Sequence, residues 1–163
     1  MSKATPTTNA MRMLTAAKIP FEVLTYAVDE SDLSGTHIAT EVGLPMDMVF
    51  KTLVAKGDKT GYLVFCIPVD HEIDLKRAAQ ATGNKRVEMI HVKELLPLTG
   101  YIRGGCSPIG MKKKFPTYFH ASAKNLEKIT VSAGMRGAQL YMDREVLVNF
   151  VAGSYVDIAV KAE

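Results

Sequence analysis

Lys51 is the residue with the most chemical content in this chain. It interrupts Val49-Phe50-Lys51-Thr52-Leu53-Val54-Ala55, a run that is otherwise nearly all apolar and β-prone. On the two-residue period of a strand it shares a face with Val49, Leu53 and Ala55. An ammonium on such a face costs free energy unless it is paired or reaches a cleft or solvent. The plainer reading is an edge-strand lysine that discourages edge-to-edge association. The chemical reading is a cation aimed into a pocket, there to hold a phosphate, a carbonyl or a developing oxyanion.

The segment Gly104-Gly105-Cys106-Ser107-Pro108-Ile109-Gly110 is the second candidate. Its glycines let backbone approach a ligand and present N–H and C=O groups without side chains in the way. A surface loop with tight turns explains the same composition. It matches neither the phosphate-loop nor the dinucleotide fingerprint. Ser107 has no histidine close in sequence, but triad partners need not be close, so a nucleophilic serine stays open. Cys106 has no histidine base suggested by spacing, and a small side chain tolerated in the loop is the better reading. Lys112-Lys113-Lys114 follows directly, either as solvated surface or as phosphate contacts. Lys85-Arg86, Arg103 and Arg136 are further cations that would extend such a surface. His37, His71, His91 and His120 lack metal-ligand spacing, and Asp70-His71-Glu72 with Asp74 reads as a polar loop ending in a helix cap. No metal and no cofactor is expected.

These residues need elements to position them. Thr5-Pro6 predicts a helix start, followed by an apolar stripe at Ala10, Met13, Leu14 and Ala17 that ends before Ile19-Pro20. Phe21 to Tyr26 reads as a strand, and Thr36 to Val42 as a helix closed by Gly43. Val49–Ala55 and Tyr62–Ile67 form the clearest hairpin, joined through Gly57-Asp58-Lys59-Thr60-Gly61. Asp74 caps a helix through Leu75, Ala78 and Ala79 to Gly83. Val87 to Ile90 is a brief strand, and Lys93 to Leu96 a single helical turn ended by Pro97. Strands follow at 117–120, 129–132 and 138–142, and Asp143 caps a last helix through Val146, Leu147 and Phe150 to Gly153. The irregular alternation predicts one α/β domain over 1–163, a mixed sheet with helices packed outside.

Composition narrows the class of function. The chain has 163 residues, with 20 Lys and Arg against 17 Asp and Glu, a formal net charge of +3. That balance permits an anionic partner but lacks the dense basic loading that would by itself announce a nucleic-acid binder. Cys66 and Cys106 are far apart and form no CxxC pair, so a reducing compartment is expected. Polar Ser2, Lys3 and Thr5 precede any apolar stretch, and no apolar run is long enough to cross a bilayer. A cytoplasmic protein with no membrane and no DNA partner is the expectation.

Read in order, several segments resemble the YbaK/EbsC family of free-standing aminoacyl-tRNA deacylases, related to the editing domain of bacterial prolyl-tRNA synthetases. They are Ile19-Pro20-Phe21 with Thr25-Tyr26, Phe50-Lys51-Thr52-Leu53, Asp74-Leu75-Lys76 and Lys85-Arg86-Val87-Glu88-Met89. They continue with Thr99-Gly100-Tyr101, Gly104-Gly105, Ser107-Pro108-Ile109-Gly110, Val131-Ser132-Ala133-Gly134 and Arg136-Gly137. The resemblance implies a curled, barrel-like sheet around a small pocket, with Lys51 as its essential lysine. It also implies that Tyr26, Thr52, Gly104, Gly105, Ser107, Gly110 and Ser132 line that pocket. Lys112, Lys113, Lys114 and Arg136 would then meet the acceptor end of a mischarged tRNA, and prolyl-tRNA synthetase is a candidate partner. Gln139 departs from the pattern, since some relatives carry Asp or Ser there. The implied reaction is trans-editing of Cys-tRNA(Pro), substrate-assisted through the cysteine thiol. The alternatives are clearance of another residue such as alanine, and a non-catalytic module that binds tRNA or a synthetase.

Overall fold

Short capped helices and short strands alternate along the chain. The computed structural model describes residues 6–162. In order, it forms α1 (Asn9–Ala16), β1 (Glu22–Thr25), α2 (Gly35–Val42), β2 (Phe50–Gly57), β3 (Gly61–Pro68) and β4 (His71–Ile73). Then come α3 (Leu75–Thr82), β5 (Val87–Met89), α4 (Val92–Thr99), β6 (Thr117–His120), β7 (Lys128–Ser132), β8 (Ala138–Asp143), α5 (Arg144–Phe150), β9 (Ser154–Val156) and β10 (Ala159–Lys161).

The β2–β3 hairpin is the frame. It pairs antiparallel from Phe50 opposite Pro68 to Gly57 opposite Gly61. Asn84 locks its loop: the side-chain oxygen accepts from the Lys59 and Thr60 N–H groups at 2.8 and 3.1 Å, and the nitrogen donates to the Thr60 and Thr82 hydroxyls. β6 adds to β3 and β9 adds to β6, both parallel, and β5 adds antiparallel to β2. The result is a mixed five-stranded sheet in the order β5-β2-β3-β6-β9. Strand alternation then sorts the core. Phe50, Val54, Val64 and Cys66 face Leu14, Ile129, Leu140 and Leu147, whereas Ala55, Leu63, Phe65 and Ile67 face Ala78, Ala79 and Ile158.

A three-stranded antiparallel sheet, β1-β8-β7, and a two-stranded sheet, β10-β4, complete the fold. A single parallel bridge, Val49 to Thr130, joins β7 to the start of β2. The mixed α/β expectation with outer helices holds. The strands form three sheets, and no closed barrel is present among the described residues.

Three local expectations change. The Thr5 cap lies outside the described residues; α1 instead begins after Thr8, whose hydroxyl accepts from the Met11 N–H and donates to the Ala133 carbonyl. Met13 and Ala17, expected on the apolar stripe with Ala10 and Leu14, are exposed, and Met11 is buried instead. The turn expected to end at Pro97 continues for eight residues, Val92–Thr99. The carbonyl that Pro97 leaves without a helical donor belongs to Lys93, an exposed residue, so the lost bond falls where solvent reaches.

Candidate active site

The sheet breaks open along one edge of β2. β5 pairs only with Ala55 to Gly57, and the Ile90 N–H donates to the Val54 carbonyl. At the other end, Val49 bridges to Thr130. Backbone groups of an antiparallel strand point alternately to its two edges, so Thr52, two residues from Val54, presents its N–H and C=O to this same edge. It lies on the stretch that neither β5 nor β7 pairs.

A cavity of about 400 Å³ fills the break. Met89, Ile90, Val92 and Leu95 of β5 and α4 form one wall, and Ser34, Gly35 and Thr36 at the start of α2 form another. Arg103, Gly104 and Cys106 enter from the glycine loop, and Ser132 and Gln139 from β7 and β8. The charged residues of this lining are Lys51 and Arg103, both cationic. Lys51 and Thr52 reach the cavity from opposite faces of the sheet, around the open edge.

Lys51 is half-buried and makes no ion pair among the described residues. Burial pulls its pKa below the usual 10.5, and the Glu72 and Asp70 carboxylates oppose that shift. The Cys106 thiol is pushed up to about 12 by burial, as is the Cys66 thiol. At neutral pH both are therefore protonated, and a thiol is a weak nucleophile. Among the described residues no three His, Cys, Asp or Glu side chains converge as a metal-ligand group.

The remaining expected residues separate. Gly104 lines the cavity with φ of 86°, where a side chain is strained. Gly105 packs against the β7–β8 turn: a Cβ there would stand 3.0 Å from the Arg136 nitrogen. Ser107 is fully buried, and its hydroxyl accepts from the Ile109 N–H at 3.2 Å, which shapes the loop. The Ser132 hydroxyl reaches the cavity and accepts from the Gly134 N–H at 3.1 Å. Tyr26 and Arg136 share a smaller neighbouring hollow, where Arg136 clamps the loop by donating to the Arg103 carbonyl at 2.8 Å. Gly110, Lys113 and Lys114 border a different cavity, and Lys112 packs over Gly100. The lining also holds residues that sequence reasoning did not place there: Arg103, the start of α2, and Gln139. Gln139 is 3% exposed, with its side-chain oxygen accepting from the Thr130 hydroxyl at 3.1 Å. A glutamine alternating inward beside Ser132 in the expected 138–142 strand was the available signal.

Among the described residues the cavity lining holds two cations, Lys51 and Arg103, and no His, Asp or Glu. Residues 35–150 match the model of the aminoacyl-tRNA editing domain, and the chain belongs to that family. It is accordingly an editing enzyme of the aminoacyl-tRNA deacylase class. The chain is 47% identical over 154 residues to an Enterococcus faecalis protein named "Putative Cys-tRNA(Pro)/Cys-tRNA(Cys) deacylase EbsC", covering 94% of each chain. A crystal structure described as a putative trans-editing enzyme for prolyl tRNA synthetase superposes with a TM-score of 0.80 at 21% identity, over 97% of this chain and 99% of that one. A hypothetical protein of known structure gives a TM-score of 0.82 at 19% identity, over 91% and 97%. These two share the fold.

Proposed function

We propose that this single editing domain works in the cytoplasm as a trans-editing hydrolase that releases cysteine from Cys-tRNA(Pro). The observation that carries the reading is the cavity at the open β2 edge, whose charged lining is Lys51 and Arg103. A cationic wall suits the terminal phosphate and ester of a charged tRNA. The buried, protonated Cys106 leaves the nucleophile to the substrate.

The substrate's thiol loses its proton and its sulfur attacks its own ester carbonyl. A C–S bond forms, the ester C–O bond breaks, and the ribose oxygen leaves with the proton that the thiol gave up, relayed by solvent. Water then opens the cyclic thioester to free cysteine. Lys51 stabilises the negative charge that grows on the carbonyl oxygen, and Arg103 holds the strand's phosphate. The start of α2, the Gly104 backbone and the main chain of Thr52 fix the acyl group's orientation. Prolyl-tRNA synthetase supplies the mischarged tRNA and is the natural protein partner.

The test is single-turnover deacylation of tRNA(Pro) charged with cysteine, serine or alanine. Cysteine should be released much faster than either, because its thiol attacks the ester, whereas differences of size alone are worth only about 1–3 kcal/mol in a pocket. Serine is the sharpest control, being similar in size and a poorer nucleophile at neutral pH. Comparable cysteine and serine rates refute the thiol-assisted route, and retention of tRNA without release of any amino acid identifies a binding module.

A further inference from the structure

A second cavity, of about 260 Å³, lies behind the glycine loop, away from Lys51. Met13, Met111, Phe115 and Phe150 supply its apolar walls, and Lys113 and Lys114 its rim. We propose that it is a subsite for one nucleobase of the single-stranded 3′ end of the tRNA, with the adjoining phosphate on Lys113 and Lys114. This rests on the tRNA-editing reading above.

Size, ring geometry and charge agree. The volume falls below the roughly 300 Å³ at which pockets for drug-sized ligands begin, which suits one flat ring. The Phe115 ring is held edge-on by Tyr62, with centroids 5.8 Å apart and planes at 64°. The stacking face is thus ordered before a base arrives, which lowers the cost of binding. Lys56 lies 5.3 Å from the centre of the Tyr62 ring and adds a third cation to the neighbourhood. Among the described residues no carboxylate lines the cavity. Asn9 supplies a polar edge: its amide nitrogen donates to the Gly110 carbonyl at 3.3 Å, and its oxygen is an acceptor for a base amine. An apolar peptide would fill the same walls but would leave the lysine rim without counter-charge.

The two cavities are linked through the chain by way of the buried Thr99. Leu95 lines the Lys51 cavity, and one turn later the Thr99 hydroxyl donates to the Leu95 carbonyl at 2.7 Å. The Thr99 carbonyl accepts from the Lys112 N–H at 3.0 Å, and Lys113 and Lys114 follow. The steps of this route, a helical rise, one hydrogen-bonded backbone pair and two chain steps, add to about 18 Å, which sets an upper limit on the separation. A strand of at most about five nucleotides stacked at 3.4 Å therefore reaches from one to the other.

The test uses uncharged tRNA(Pro) transcripts, intact and with one abasic site at each position of the 3′ overhang, and reads binding by fluorescence anisotropy. One abasic position should weaken wild-type binding by about 5- to 150-fold, the range for loss of one stacked base. That penalty should vanish in Phe115→Leu, which keeps apolar bulk and removes the ring. Lys113→Gln with Lys114→Gln should flatten the log–log salt slope by about 1.4 while keeping the abasic penalty. An equal penalty in Phe115→Leu and wild type, or no sensitive position at all, overturns the subsite and is what a protein occupant would give. Deacylation is scored separately on Cys-tRNA(Pro). Turnover without the abasic signature removes the subsite alone, whereas the signature without turnover supports the subsite and removes Cys-tRNA(Pro) as the substrate.

Discussion

Replacing Lys51 by methionine removes charge while keeping most of the side chain's bulk. With the ammonium about 4 Å from the ester oxygen, and an effective dielectric near 20 in a cavity open to solvent, a full charge pair is worth about 4 kcal/mol. That corresponds to roughly a thousandfold in rate. Only the part gained between ground state and transition state counts, so the expected loss in the single-turnover rate is about 100- to 1000-fold. The assay is release of labelled cysteine from Cys-tRNA(Pro), corrected for buffer hydrolysis, with folding checked by urea denaturation. The stability arm has its own sign. Burial holds the folded-state pKa of Lys51 below 10.5, so the fold disfavours the protonated amine. That penalty is complete below the folded pKa and fades as pH rises toward 10.5. Lys51→Met should therefore be at least as stable as wild type at pH 7, with its advantage shrinking toward pH 10. A folded Lys51→Met within about tenfold of the wild-type rate, or one clearly less stable at pH 7, refutes the reasoning.

Cys106→Ser should retain most activity, because the thiol is protonated at neutral pH, and chelators should leave the rate unchanged, because the proposed mechanism uses no metal; complete loss in either test, with folding verified, requires another mechanism. Asn84→Ala should cost about 2–4 kcal/mol in urea unfolding, since it removes four hydrogen bonds at the hairpin loop. A loss below about 1 kcal/mol would show that water replaces them. Gly105→Ala should destabilise by about 1–3 kcal/mol, because its Cβ meets backbone at 3.0 Å. An unchanged thermal midpoint would show that the loop yields freely.

Local signals were legible where one residue did one job. Asp74 accepts from the Lys76 and Arg77 N–H groups and Asp143 from that of Val146, as their places before apolar helical segments implied. The hairpin was legible because two alternating runs flank a glycine-bounded loop. β4, β9 and β10 were not, since each is three residues long and its pairing depends on segments far away in the chain. The site divided in the same way. Lys51 announced itself by interrupting a strand, and Thr52 came only from the family resemblance. The glycine loop was expected to approach a ligand with Gly105, Ser107 and Gly110; these three lie outside the lining, where Gly105 and Ser107 meet other parts of the protein. Arg103 and the start of α2 join the cavity only through tertiary placement, which no local pattern encodes.

The unpaired stretch at Thr52 has an evolutionary consequence. A peptide group cannot be exchanged by mutation, so the wall that this main chain forms persists whatever side chains surround it. Met89, Cys106 and Gln139, by contrast, can be swapped one at a time to reshape the chamber. The hairpin need not be rebuilt for the enzyme to take up a different acyl group. Substitution can therefore alter the side-chain walls of the chamber, but it leaves the peptide groups along the gap in place.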